Sequence, residues 1–227
     1  RAPHLLARVG WLNRLPESFD GLVLANELLD AMPVHLVLWE NGRDGSILER
    51  GVTWKNEAFV WQDRPAGGRV LERVQALAAD YPLEPGYLSE ICLASADWTA
   101  SWANILGTGA LLLIDYGFPR HEFYHPQRNS GTLMCHYRHH SHGEPFFLPG
   151  LQDITAHVDF TAIVEAGVEA GLDFLGYTTQ ATFLLNCGLT DILARTPAED
   201  ALRYLPQSQA AQKLISPAEM GDLFKVI

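Results

Sequence analysis

Two short apolar runs organise the chain. Leu22 to Ala25 and Leu111 to Ile114 are each continuously hydrophobic, and each runs straight into polar groups: Asn26, Glu27 and Asp30 after the first, Asp115 after the second. Unbroken runs of this length predict strands buried on both faces, as in a parallel sheet. Between them, Asn41-Gly42 and Asp44-Gly45 punctuate β-branched and aromatic stretches, which predicts antiparallel hairpins inserted at about residues 35–66.

Helical spacing comes next. Val70, Leu71, Val74, Leu77 and Ala78 share one face of a helix over 68–81. Leu88, Ile91, Cys92, Trp98, Trp102, Ile105 and Leu106 share a face of a second helix over 88–106, with Gly107 and Gly109 as its stop. The stretch from Tyr116 to Gly150 is polar, rich in Gly and His, and long for a connector, which marks a lid loop at about 116–150. Asp159 then caps a helix whose inner face carries Phe160, Ile163, Val164 and Val168. "LDFLGYTTQ" reads as strand and "ATFLLNCGLTDILA" as helix. Helix and strand alternation around buried strands predicts an α/β sheet with helices on its faces. Ligands of such sheets sit beyond the carboxyl ends of the strands, where Asn26, Glu27 and Asp115 would stand.

Composition narrows the function. With 227 residues and 48% hydrophobic side chains, the chain can bury a sizeable core in one large domain or two small ones. A net charge of −11 argues against nucleic acid as a partner and favours basic protein surfaces. Cys92, Cys135 and Cys187 form no C-x-x-C pair, so a reducing, cytoplasm-like compartment fits better than a disulfide or zinc framework. No apolar run approaches the roughly 20 residues that span a bilayer, so membrane insertion is not expected. The chain opens at Arg1 in what reads as the middle of a helix or loop, the expectation for a fragment.

Three groups of residues could carry chemistry. If Glu27 opens a helical turn, Asp30 at i+3 shares its face, and the two carboxylates can converge on one cation. A guanidinium fits, because its planar fork matches carboxylates through charge-assisted hydrogen bonds; the alternative is a plain helix start that favours the dipole. Asp115, followed by Tyr116 and Gly117, ends a wholly apolar strand at a point where the chain can turn sharply; it too could be a cap. His136, His139, His140 and His142, with Asp153, His157 and Asp159, are dense enough for a metal site, or form a solvated loop with local hydrogen bonds.

"FDGLVLANELLDAMPVHLV", "LLLIDYG", "GTLMCHYRHHSHGEPFFLPGLQDITAHVDFTAI" and "TTQATFLLNCGL", in this order and spacing, resemble the MidA family of class I S-adenosylmethionine-dependent methyltransferases. That family includes a mitochondrial complex I assembly factor that methylates a protein arginine. The resemblance runs from Leu12 to Leu189. It matches Asn26, Glu27 and Asp30 to the family's N-E-x-x-D, and Asp115 to Gly117 to its I-D-Y-G. Gly131 to Leu133 match its G-T-L, and His139 and His142 its H-x-x-H. Asp153, Thr155, Asp159 and Phe160 match its D-[IL]-T-x-x-V-D-F, and Gln180 the glutamine before F-L. The family's glycine-rich cofactor loop has no counterpart here, since no G-x-G-x-x-G occurs.

The resemblance implies the larger, C-terminal part of a Rossmann-like methyltransferase sheet with an antiparallel insertion, residues 1–227 forming a partial class I domain. It implies S-adenosylmethionine as cofactor, with Asn26 on the cofactor side. It also implies a protein partner presenting arginine, held by Glu27 with help from Asp30, in a crevice supported by Asp115. Tyr116, His139, His142, Asp153 and Asp159 would lie along the substrate path or lid, with no metal, and a homodimer is allowed. Two rivals are a metal-dependent hydrolase built on the His/Asp cluster and a non-catalytic assembly factor that keeps the fold to hold a partner.

Overall fold

The computed structural model describes residues 2–41, 45–81 and 83–227. Gly42 and Asp44 of the expected hairpin turns lie outside the described residues. The chain runs through β1 (Phe19–Asn26), β2 (His35–Trp39), β3 (Ile47–Lys55), β4 (Ala58–Pro65), α1 (Gly68–Asp80), β5 (Tyr87–Ile91), α2 (Leu93–Trp102) and the long β6 (Leu106–Phe118). Its second half holds α3 (Arg120–Phe123), β7 (Met134–Tyr137), β8 (His140–His142), β9 (Asp153–Thr155) and β10 (Val158–Asp159). Then follow α4 (Phe160–Ala170), β11 (Thr178–Thr179), α5 (Gln180–Asn186), α6 (Leu189–Leu193), α7 (Ala201–Ile215) and β12 (Phe224–Val226).

The two apolar runs pair with each other. β1 lies parallel to β6 with Leu24 beside Leu112 and Asn26 beside Ile114, so both chains deliver their polar residues to the same sheet end. On its other side β6 pairs antiparallel with β12, which pairs with β11, and the short β10 runs parallel to the end of β6 at Gly117 and Phe118. Gly117 is required there: a Cβ at this position would stand 2.1 Å from the carbonyl oxygen of Val158. The sequence pattern expects β1 to be covered on both faces, and this is corrected. Leu22 and Leu24 are exposed while Ala25 is buried, because among the described residues β1 pairs only with β6 and nothing covers one of its faces.

The insertion folds as a separate antiparallel sheet in the order β4-β3-β2-β5. Its inner face and α1 enclose a core of Val37, Trp39, Val74, Leu77 and Tyr87, with Trp39 and Tyr87 edge to face at 5.8 Å. Burial of each such side chain contributes about 1.5–3 kcal/mol. Residues 88–91, expected in a helix, form β5 instead, with Leu36 opposite Glu90 and Leu38 opposite Leu88. Helix begins only at Leu93 and ends at Trp102, so Gly107 and Gly109 lie inside β6 and stop nothing. Leu88 and Ile91, three apart, are spaced as on a helix and fall on opposite faces of the strand, so antiparallel pairing with β2 overrides the local pattern. A second core, Ala25, Leu29, Leu113, Val158, Phe160 and Ile163, lies where α4 covers the ends of β1 and β6. Asp159 caps α4 through Ala162 N–H at 3.2 Å, as the sequence pattern expects, but Val168 faces solvent. The strand expected over "LDFLGYTTQ" contracts to β11.

Candidate functional site

The ends of β1 and β6 meet in a tight backbone arrangement. Asp115, the first polar residue after the apolar run of β6, is 1% exposed, and its Oδ2 accepts from the backbone N–H groups of Leu28, Leu29 and Asp30 at 3.2, 2.9 and 3.3 Å. Oδ1 accepts from Tyr116 N–H at 2.9 Å. Burial, and next the charge of Asp30, push the Asp115 carboxyl up to about 6, against the pull of these amides. The carboxylate is therefore occupied in folding residues 28–30 back onto β6. It does not line the cleft described below, and it acts on the site as a positioning group.

That fold-back replaces the helical turn expected at Glu27. Glu27 continues the sheet through its N–H to Ile114 O at 3.0 Å and then takes φ 49°, a left-handed conformation that costs a non-glycine residue about 1–2 kcal/mol. The expected i, i+3 pairing of carboxylates on a helix face is thus corrected, yet the two acids still converge, because both line one cleft of about 750 Å³. Glu27 is exposed and accepts from the Asn26 amide at 3.3 Å. Asp30 is 4% exposed; its Oδ2 accepts from the Tyr116 hydroxyl, while Oδ1 has no partner. Burial and the hydrogen bond to Asp30 both raise the Tyr116 phenol above its ordinary range, so it stays a donor.

The opposite wall of the cleft comes in part from the expected lid. Far from being structureless, that stretch holds α3 and the hairpin of β7 and β8, which with β9 forms a small sheet. His136 and Ser141 line the cleft from that stretch, and Gln152, Asp153, Thr155 and His157 line it from the segment that follows. The site residues expected here divide. Tyr116 and Asp153 reach the cleft; His139, His142 and Asp159 do not line it. Arg138 and His139 have φ 48° and 66° and are the central pair of the β7–β8 turn, a conformation the twist of a two-residue hairpin demands. His142 packs edge to face on Phe147 at 5.3 Å. Asp159 turns away to cap α4 and to pair with Arg120 at 3.4 Å. Among the described residues, no three His, Cys, Asp or Glu side chains are arranged to hold a metal ion, so the hydrolase reading finds no ligand set there.

Glu90 is the residue the sequence pattern hides. It is 2% exposed and accepts from Thr132 N–H at 2.7 Å, Leu133 N–H at 2.9 Å and the Thr132 hydroxyl at 3.2 Å. Thr132 Oγ1 in turn accepts from His157 N–H at 3.0 Å, so Glu90 anchors one wall of the cleft from behind. Burial raises the Glu90 carboxyl, and the Thr132 and Leu133 donors oppose it. Gly131 takes φ 77° beside it, where a Cβ would stand 2.4 Å from Glu90 Oε1. The signal was present: Pro85-Gly86 is a turn dipeptide, and an acid follows it inside an apolar stretch. A larger cavity of about 930 Å³ lies across α1, α2 and α4, but its arginines are already paired, Arg69 with Asp97 at 2.9 Å and Arg73 with Glu165 at 3.1 Å.

A cofactor at the strand ends would meet Asn26 and Glu27, both exposed, beside the uncovered face of β1. These residues fit one side of a sulfonium cofactor, since an exposed carboxylate suits a cation; the glycine-rich turn that would hold its other side is not a feature of this sequence.

The chain is similar to known proteins over nearly all of its length. The chain is 28% identical over 233 aligned positions to the mitochondrial protein arginine methyltransferase NDUFAF7 homolog of Drosophila melanogaster, covering 96% of this chain and 49% of that protein. It is 26% identical over 221 positions to the mitochondrial protein arginine methyltransferase NDUFAF7 of Danio rerio, covering 93% and 47%. The chain thus spans about half the length of the curated relatives it matches. A crystal structure from Burkholderia thailandensis bound to S-adenosyl-homocysteine superposes with a TM-score of 0.93 at 54% identity, covering all of this chain and 57% of that one. A native crystal structure from the same organism gives 0.92 at 55%, covering 100% and 59%. Residues 1–178 match the family described as "Putative S-adenosyl-L-methionine-dependent methyltransferase", and with its mixed α/β sheet and strand-end acids the chain belongs to that family.

Proposed function

We propose that this chain is the acceptor-binding part of a protein-arginine methyltransferase that uses S-adenosylmethionine. The observation that carries the reading is Asp30: a carboxylate buried at the sheet end, one oxygen held by Tyr116, the other buried without a partner, on a residue that lines the cleft together with Glu27. A buried, half-satisfied carboxylate is costly unless a cationic donor completes it. A guanidinium does so well, presenting parallel N–H groups to one acid while a second neutralises its charge. The naming of the Drosophila and Danio relatives as protein arginine methyltransferases supports the same acceptor.

The cofactor, when bound, supplies a methyl group on a sulfonium. The side chains of this chain decide which acceptor meets it. Asp30, immobilised by Tyr116 and by the amides on Asp115, fixes the plane of the guanidinium, and holding that plane contributes by proximity and orientation. Glu27 bears on the nitrogen that is to be methylated; being exposed, it offers a route to solvent for the proton that nitrogen must lose. The three cysteines are free, and we place the protein in a reducing compartment such as the cytoplasm.

The test is transfer of labelled methyl by the full-length protein onto arrayed arginine-containing peptides, paired with Arg→Lys controls and mass spectrometry of the product. Methylarginine is the expected product. Label on lysine, on a carboxylate or on no peptide would reject the acceptor assignment.

A further inference from the structure

The cleft gathers buried polar atoms that the fold leaves unmatched. Among the described residues, seven buried side-chain polar atoms lack a hydrogen-bond partner, and four of them, Asp30 Oδ1, Gln152 Oε1, Thr155 Oγ1 and His157 Nδ1, belong to residues that line this one cleft. Native folds pair such groups almost everywhere, so their concentration in one place marks a ligand that completes them.

Apart from the Thr155 hydroxyl, which can also donate, these groups offer acceptors. Gln152 donates through Nε2 to the carbonyls of Pro145 and Glu144 at 2.8 and 3.3 Å, which fixes the amide and leaves Oε1 as an acceptor. Asp30 Oδ1 can only accept. His157 is held between the ring of Tyr116, edge on at 5.4 Å, and that of Phe118 at 5.2 Å, while its backbone N–H is tied to Thr132. Burial, and next the charge of Arg128, push its imidazole down to about 4, so the ring is neutral at working pH and can accept. The ligand that answers these acceptors carries several N–H groups in fixed directions. An ammonium is a compact point charge that the two acids alone could bind; a guanidinium spreads five donors over a plane, more than the acids can reach.

We propose that His157 and Gln152 are specificity-determining residues that accept the outer N–H groups of the substrate guanidinium, so that the cleft distinguishes arginine from lysine. The inference rests on the arginine reading above and extends it to the neutral side of the site. Asp30 and Glu27 supply attraction to any cation; His157 Nδ1 and Gln152 Oε1 select the planar one. A site built to hydrogen-bond its ligand rejects an analogue lacking those donors more strongly than a charged site does.

Titration of the full-length protein with methylguanidinium and with methylammonium, in the presence of S-adenosyl-homocysteine, tests this. The wild type is expected to prefer methylguanidinium by about tenfold or more, the scale of one or two well-placed hydrogen bonds to a charged group. H157F keeps the ring packing and removes the acceptor, and should bring the preference close to unity; H157N, whose amide oxygen falls near the place of Nδ1, should restore most of it. Q152M is a second reading of the same ratio should H157F fold poorly. If H157F and Q152M both keep the wild-type preference while D30N loses methylguanidinium binding, the guanidinium reading stands and this inference is overturned. Methylguanidinium binding by the wild type that is absent, or unaffected by D30N, would reject both.

Discussion

The Tyr116 hydroxyl donates to Oδ2 of Asp30, joining β6 to the segment that folds back after β1, far away in sequence. Tyr116→Phe removes this donor and leaves a buried carboxylate with neither oxygen matched. A hydrogen bond to a charged group contributes about 1.5–3 kcal/mol. The expected outcome is a drop in kcat on the order of tenfold or more, with a lower melting temperature and cofactor affinity within about twofold of wild type. Steady-state kinetics with a peptide substrate and calorimetric titration of the cofactor check it, and an unchanged kcat would remove Tyr116 from the site.

Glu27 has two separable properties, its charge and its left-handed backbone. Glu27→Gln keeps the backbone and volume and should lower turnover on the order of 10²-fold, with stability within about 0.5 kcal/mol, because the side chain is exposed. Glu27→Gly relieves φ 49° and should raise stability by roughly 1 kcal/mol while abolishing turnover. Thermal melts and turnover of the pair decide this, and a less stable glycine variant would show that the strain is not where the backbone places it.

Asp115 makes the stability depend on pH in an unusual direction for an acid. Its carboxyl is pushed up to about 6 from 3.8, so between these values the folded state binds a proton that the unfolded chain does not. The contribution of this group to stability is therefore greatest below pH 4 and is lost as pH rises through 6, by an amount on the order of 3 kcal/mol. Denaturant unfolding of wild type and Asp115→Asn at pH 5 and pH 7 should show the wild type gaining on the variant at the lower pH. The opposite slope would mean that the amides outweigh burial.

Gly131→Ala places a methyl group 2.4 Å from Glu90 Oε1 at φ 77°. Either Glu90 must release Thr132 and Leu133 or the backbone must move. The expected loss of stability is about 1–3 kcal/mol, accompanied by a higher KM for peptide, because Thr132 holds the backbone of His157. Full retention of KM would separate the Glu90 anchor from the cleft.

Legibility in the sequence follows the range of the interactions. The apolar runs into Asn26 and Asp115 show two strands of one sheet, although β1 leaves Leu22 and Leu24 exposed; the helices of α1 and α4 show themselves through the 3.6-residue period, because a helix's own side chains record which face it buries. β5 was hidden because Leu88 and Ile91 are spaced as on a helix, and the overriding partner, β2, lies some fifty positions earlier. β12 was hidden too: three residues at the far end of the chain enter the sheet beside Asp115, and no local pattern marks them for it.

For the site itself, the sequence by itself determined which acids and amides end the two strands, and the ordered motifs around them resemble one family of methyltransferases. Tertiary structure decided their roles. Asp115, Glu27 and Asp30 look alike as acids in the sequence, yet one is satisfied by four backbone amides, one stands in solvent on a strained backbone, and one is buried with an oxygen to spare. His139 and His157 are equally plain histidines, but a hairpin turn takes the first and a ring-lined cleft wall the second. The reason is physical: residue type fixes what a side chain can donate, accept or ionise, whereas burial and the partners brought by distant strands fix which of these it does.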